Sequence, residues 1–262
     1  MSVYCNGHRA SADELAAALV NYGHFTSMQV RGGAVQGLDL HLRRLREGTG
    51  TLFGTVLDGS QVQAWIAHAL QAEGRVDASV RVTVFSQAFD FRQPLQAVPV
   101  DVLVAVSAPV TLSATARRVR SVAYQRELPH LKHVGTFALF EHRRQALQAG
   151  YDDALFVDAQ GSISEGTTWN IAFGRGGELV WPQAPALRGT QERLLQAGWG
   201  GEPQLAPVRL DDLAGFDAAI ACNATGVWPI GSIDGVAFPG SEAMCGNARA
   251  VLVQAPWDSV LG

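Results

Sequence analysis

Lysine is almost absent from this sequence: of its 20 basic residues 19 are arginine, and Lys132 is the single exception. Wherever a positive charge or an ion pair suffices, the chain uses Arg, which stays protonated and cannot act as a neutral amine. The lone lysine therefore marks a place that calls for a primary amine. Cysteine is scarce as well. Cys5, Cys222 and Cys245 are odd in number and widely spaced, which suits neither a disulfide framework nor a metal site, so reduced, structural thiols and no metal are expected. No basic run exceeds two residues and the formal net charge is -4, which argues against a nucleic-acid partner bound through its phosphates. No 18-residue apolar window occurs, and Met1 to Cys5 carry no basic segment followed by an apolar stretch. A soluble, cytoplasmic protein with no membrane partner is expected.

Charged residues are only 17% of the chain and hydrophobic ones 47%, enough to bury a core. A length of 262 residues allows one large domain or two smaller ones, and the pattern along the chain favours two. A β region turns at Asn6-Gly7, and Ser11 to Glu14 read as a capping box opening a helix whose Leu15 and Leu19 face a core. Residues 27–30 and 34–36 flank a Gly32-Gly33 hairpin turn. A helix begins near Leu38, with Leu38, Leu42 and Leu45 on one face, and Gly48 ends it. Another runs from Ser60 to Gly74. Two alternating strands, Val80 to Val84 and Val100 to Val104, complete a first α+β unit. The pattern stops at residues 107–113, which places a small domain at 1–108 and a larger one at 109–262 that carries Lys132. The second holds a helix from about Phe137 to Ala149, a strand at Ala154 to Val157, a turn into residues 162–171, a helix from Gln191 to about Ala197 and a late helix from Ser241. No internal repeat is visible.

A lone amine directs attention to imine chemistry. On pyridoxal phosphate (PLP) that chemistry needs an amine, an acid beside the pyridine nitrogen, and cations or backbone N–H groups for the phosphate. Lys132 sits in Leu128-Pro129-His130-Leu131-Lys132-His133-Val134-Gly135, an apolar segment bounded by Pro and Gly where desolvation would favour the neutral amine. Glu165 lies among small hydroxyl residues. Gly189-Thr190-Gln191 at a helix start offers N–H groups to an anion, and Arg44 offers a bidentate cation. Apart from the lysine, each of these is ordinary alone: a solvated Glu, an N-cap Thr and a surface Arg.

Their order and wording resemble the class IV aminotransferases. Tyr22-Gly23-His24-Phe25-Thr26, then His41-Leu42-Arg43-Arg44-Leu45, is similar to the family's N-terminal signature, in which the Arg corresponding to Arg44 contacts the phosphate. Leu131-Lys132-His133, the strand ending in Asp158, and Ser164 to Ile171 resemble its central block of Schiff-base lysine, hairpin and pyridine-binding glutamate. Leu187 to Gln191 resemble one phosphate segment, and Cys222 to Pro229, with Asn223 and Ala224 at the turn, a second. The resemblance spans about residues 20 to 235. It implies an α+β protein of fold type IV, with a small α+β N-terminal domain and a larger barrel-like C-terminal α/β domain, PLP as cofactor, and a homodimer. Phe137 stands where branched-chain enzymes carry Tyr, and Gln191 and Glu192 replace the usual Thr and Arg.

The activity implied is transamination of a small amino acid to its keto acid through Lys132. A 4-amino-4-deoxychorismate lyase, which eliminates pyruvate from the same early intermediates, is the alternative, favoured by Leu131-Lys132-His133 and Cys222-Asn223-Ala224. A further alternative is a homologue kept as a binding module. Arg81, Arg126 and Arg188 are candidates for a substrate carboxylate.

Overall fold

Val80, Val82 and Val84 alternate with Ser79, Arg81 and Thr83, the period-2 pattern of a strand with one buried face. In the computed structural model, which describes all residues except 114, 201 and 262, they build the first of two units. Its elements are β1 (Ser2–Cys5), β2 (His8–Arg9), α1 (Ala12–Ala18), β3 (His24–Val30), β4 (Ala34–Gln36), α2 (Leu38–Phe53), α3 (Gly59–Ala72), β5 (Ala78–Phe85) and β6 (Asp101–Ser107). Five of the strands form an antiparallel sheet in the order β2-β1-β6-β5-β3. The valines of β5 pack against Leu38, Leu42 and Leu45 of α2 and Val62, Ile66 and Leu70 of α3.

The second unit contains β7 (Arg117–Ala123), α4 (Phe137–Gln148), β8 (Asp153–Val157), β9 (Ile163–Gly166), β10 (Asn170–Arg175), β11 (Glu178–Pro182), α5 (Thr190–Gly198), β12 (Gln204–Ala206), β13 (Ala218–Asn223), β14 (Gly226–Ile233), β15 (Val236–Ala237) and α6 (Ser241–Gln254). They make a curled half-barrel sheet of nine strands in the order β12-β11-β10-β13-β14-β7-β8-β9, with β15 on β14. Strand alternation supplies a core to each face. Ile171 and Phe173 join Leu155, Ile163 and Trp228 on one side, whereas Ala172 joins Ile220, Leu195 of α5 and Ala248 of α6 on the other.

The units do not follow one cut in the chain. The first comprises Met1–Val110, Leu131–Gly135 and Pro256–Gly262, and the second Thr111–His130 and Thr136–Ala255. A single division at 108 assigned Lys132 to the larger domain, but by its contacts the lysine segment packs with the first. The cause is backbone pairing: Phe25 N–H donates to Lys132 O at 2.9 Å and Val134 N–H to Gly23 O at 3.0 Å, so the segment adds onto the open edge of β3. A last strand, β16 (Trp257–Ser259), pairs antiparallel with β4. The Gly32-Gly33 turn is present, with both glycines at positive φ, but beyond the Arg31 to Ala34 bridge the second arm pairs with β16 instead of with β3.

Two helices differ from the sequence expectation. The capping box of α1 is formed, Ser11 N–H donating to Glu14 Oε2 at 2.8 Å and Glu14 N–H to Ser11 Oγ at 3.3 Å. Yet Leu15 and Leu19 are 40% and 82% exposed. The helix is only seven residues long and meets the sheet through Ala17 and Ala18 against Cys5, Phe85 and Leu103, because alanines allow a closer approach. Helix α2 runs past Gly48 to Phe53 and stops at Gly54, whose φ of 62° is left-handed. Gly48 serves packing instead: a Cβ there would lie 2.7 Å from His24 Nδ1. The three cysteines are free and buried, and burial pushes the Cys5 thiol up to about 12. Among the described residues no helix is long and apolar enough to cross a membrane, and no group of three or more His, Cys, Asp or Glu could hold a metal ion.

Candidate functional site

In the first unit, Lys132 is half-buried at the β3 edge, its Nζ 4.9 Å from the centre of the Phe25 ring. Arg81 lies over the same ring at 3.6 Å and donates from Nε to Thr83 Oγ1 at 3.3 Å. Arg44, on α2, donates to Thr26 Oγ1 at 3.5 Å. The Thr26 hydroxyl also meets His41 Nδ1 at 2.6 Å, so the His and Arg of the His41-Leu42-Arg43-Arg44 segment, one turn apart on α2, share one strand hydroxyl. His41 is fully enclosed. Burial, reinforced by the nearby Arg44 and Lys132 cations, pushes its pKa down to about 3, and burial holds His24 at about 4. Both rings are neutral near pH 7.

These two histidines predict a pH response. An unfolded histidine takes up a proton near pH about 6.5, whereas the folded rings resist protonation until about 4 and 3. Their folded values are depressed, so the unfolded state binds more protons as pH falls, and the stability they allow above about 6.5 drains away below it. Urea midpoints should fall between pH 7 and 5, ahead of most carboxylate titration, and His24→Gln should flatten that slope. A midpoint constant over this range would contradict the burial argument.

In the second unit, Glu165 lies on β9 and is 4% exposed. Its neighbour Gly166 admits no side chain, since a Cβ would come 1.9 Å from Trp169 Cε2, and Gly166 N–H donates to Trp169 O at 2.8 Å. Thr167 donates to buried Asp153 Oδ1 at 2.7 Å. The stretch after Glu165 is thus a fixed bulge. Glu165 Oε1 accepts from Leu187 N–H at 3.2 Å and lies 3.9 Å from Arg126 Nε, both side chains 5% exposed. Glu165 and Arg126 thus form an enclosed ion pair within the unit.

Gly189 is the N-cap of α5 and Thr190 the first helical residue, so Thr190 does not cap the helix. Thr190 and Gln191 are 3% and 8% exposed, and Gln191 Oε1 is buried without a hydrogen-bond partner among the described residues. Glu192 is fully buried and structural: it accepts from Gly189 N–H at 3.2 Å and from Arg188 Nη1 at 3.0 Å. Burial pushes its carboxyl up. Arg188 also donates to Pro182 O and Ala184 O, each at 2.9 Å, and so fastens the loop before α5. At the β13–β14 turn, Asn223 Oδ1 accepts from Thr225 N–H at 2.9 Å and Nδ2 donates to Thr168 O at 3.3 Å, which ties the Asn223-Ala224 turn to the Glu165 bulge.

Glu165, Thr190, Gln191, Asn223 and Ala224 therefore gather in the second unit, while Lys132 and Arg44 belong to the first. Phe137 is 81% exposed at the start of α4. Sequence reasoning passed over Thr26, the hydroxyl that His41 and Arg44 share, Arg126 as partner of Glu165, and Asn170. The signal for Asn170 was present: a polar amide heading the apolar run Ile171-Ala172-Phe173 calls for a buried partner.

The amino-transferase class IV family profile matches residues 23–233. A comparison with curated proteins by sequence returns no match. Among solved structures, the T.th. branched-chain amino acid aminotransferase with pyridoxamine 5'-phosphate superposes with a TM-score of 0.81 at 18% identity, over 96% of this chain and 92% of that one. The Escherichia coli branched-chain amino acid aminotransferase gives 0.84 at 16% identity, over 100% and 99%. A putative 4-amino-4-deoxychorismate lyase from Legionella pneumophila gives 0.79 at 18%, over 90% and 92%. With the profile covering most of its length, this chain belongs to the class IV aminotransferase family.

Proposed function

We propose that the protein is a PLP-dependent aminotransferase that takes a small amino acid and its keto acid, with Lys132 as the residue that attaches the cofactor. The observation that carries this reading is that the chain's one amine side chain lies inside the family-matched span, on a segment pinned by two backbone hydrogen bonds to Gly23 and Phe25. The residues fit the group. Glu165 is a buried carboxylate suited to a protonated pyridine nitrogen. The first turn of α5, whose N-cap brings no side chain, and the buried Gln191 amide suit a phosphate, as does the Asn223-Ala224 turn. Arg44, steadied by Thr26, supplies a cation. When bound, PLP supplies an electron sink for the bonds at the substrate Cα. Lys132 would move the proton at the substrate Cα.

The alternative is a 4-amino-4-deoxychorismate lyase, supported by the likeness to the Legionella pneumophila protein and by Leu131-Lys132-His133. The reading extends to a cytoplasmic homodimer without a nucleic-acid partner, supported by the net charge of -4 and by the family resemblance. The test is direct. Purified protein incubated with PLP should turn yellow, and borohydride should fix a pyridoxyl group on the peptide containing Lys132. Colourless protein that takes up no PLP would refute the proposal. Amino transfer from D-Ala, L-Glu or branched-chain donors supports the aminotransferase, and pyruvate release from aminodeoxychorismate without an acceptor supports the lyase.

A further inference from the structure

Asn170 heads β10 and is 7% exposed. Both ends of its amide are used on one short stretch of backbone: Nδ2 donates to Leu187 O at 2.7 Å, and Oδ1 accepts from Gly189 N–H at 3.1 Å. On the same stretch, Leu187 N–H donates to Glu165 Oε1 at 3.2 Å. Three hydrogen bonds therefore join residues 187–189, the lead-in to α5, to the strands that carry Glu165 and Asn170. The fit leaves no slack at Gly189, where a Cβ would fall 2.3 Å from Asn170 Oδ1.

We infer that Asn170 is a positioning residue that sets the distance between Glu165 and the first turn of α5. The inference rests on the PLP reading, in which the first holds the pyridine ring and the second the phosphate. Both ends of the cofactor would then be referred to a single side-chain amide. An amide is the group the geometry requires, because one end must donate to a carbonyl and the other accept from an N–H at the same time. A carboxylate satisfies only the second contact, and an aliphatic side chain satisfies neither.

Loss of the clamp should weaken the hold on the phosphate in particular. With the clamp intact, the α5 amides are held in place for an anion without further ordering on binding. Without it, that preorganisation is lost, while the ring-binding carboxylate keeps its pair with Arg126. PLP and pyridoxal, which differ only in the phosphate, should be titrated into wild type, Asn170→Ala and Gly189→Ala, and exchange of the backbone amides over residues 186–191 followed by mass spectrometry in the cofactor-free chains. Asn170→Ala should bind PLP about tenfold more weakly and pyridoxal almost unchanged, with faster exchange at Gly189, whose N–H is shared between Asn170 and Glu192 Oε2 and would keep only the second contact, at 3.2 Å. Gly189→Ala, which displaces the amide by collision, should do the same, and the double variant should be no worse than either. Asn170→Asp should keep Gly189 protected. Equal loss of both ligands, or unchanged exchange in Asn170→Ala, would overturn the inference in favour of a general packing role. Wild-type protein that takes up neither ligand would instead overturn the cofactor reading, and the phosphate role with it, whatever the exchange data show.

Discussion

Lys132→Ala is expected to leave protein that no longer retains a pyridoxyl group after borohydride and that turns over about 10²–10⁴-fold more slowly through loss of the proton shuttle alone. The size of the loss follows from composition. With one lysine in the chain, no other side-chain amine stands in for it, and the 19 arginines cannot, being protonated throughout the working pH range. Lys132→Arg separates charge from nucleophilicity. It preserves a cation beside the Phe25 ring and so should fold like wild type, yet should fail to the same degree. Turnover and mass-spectrometric mapping of the reduced adduct check both variants. A reducible adduct persisting in Lys132→Ala would show that the amine chemistry resides elsewhere.

The second large effect belongs to Glu165. Its carboxylate is buried against the buried guanidinium of Arg126, so Glu165→Ala should cost about 3–5 kcal/mol of stability, the usual penalty when one member of an enclosed ion pair is removed. Under the proposed PLP reading activity should fall as well, because the carboxylate assigned to the pyridine nitrogen would be gone. The two losses can be pulled apart. Replacing both partners at once, as Arg126→Met with Glu165→Leu, removes the stranded charge and should recover most of the stability, but none of the activity. Denaturant midpoints and turnover on the three proteins suffice. A double variant that regains turnover would assign Glu165 a purely structural part.

These expectations draw on sequence and structure unequally. The capping box at Ser11, the strands at Val80 and Val102 and the helix from Phe137 were legible because their signals are local, a cap or a period within a few residues. The end of α2 was not. Gly48 has the composition of a stop, and only the His24 ring packed on it reveals that its missing side chain makes room for a neighbour. Leu15 and Leu19 misled in the opposite way, since helical spacing says which residues share a face and not whether the helix lasts long enough to bury them. At the candidate site the residue types were readable and their partners were not. Asn170 meets backbone 17 and 19 positions away, and Arg126 meets Glu165 across an intervening helix and strand. The register of Lys132 on β3 depends on main-chain groups that every residue except proline possesses.

The strand at Trp257–Ser259 has a consequence for the order of assembly. It pairs with Ala34–Gln36, while Asp258 receives the N–H of Leu38 at the start of α2 and Val260 donates to Gly33. More than 200 residues separate these partners. During synthesis the β4 edge and the mouth of α2 must therefore wait, uncovered, until residues 257–260, made more than 200 positions later, leave the ribosome, so that this part of the first unit is finished long after it is made.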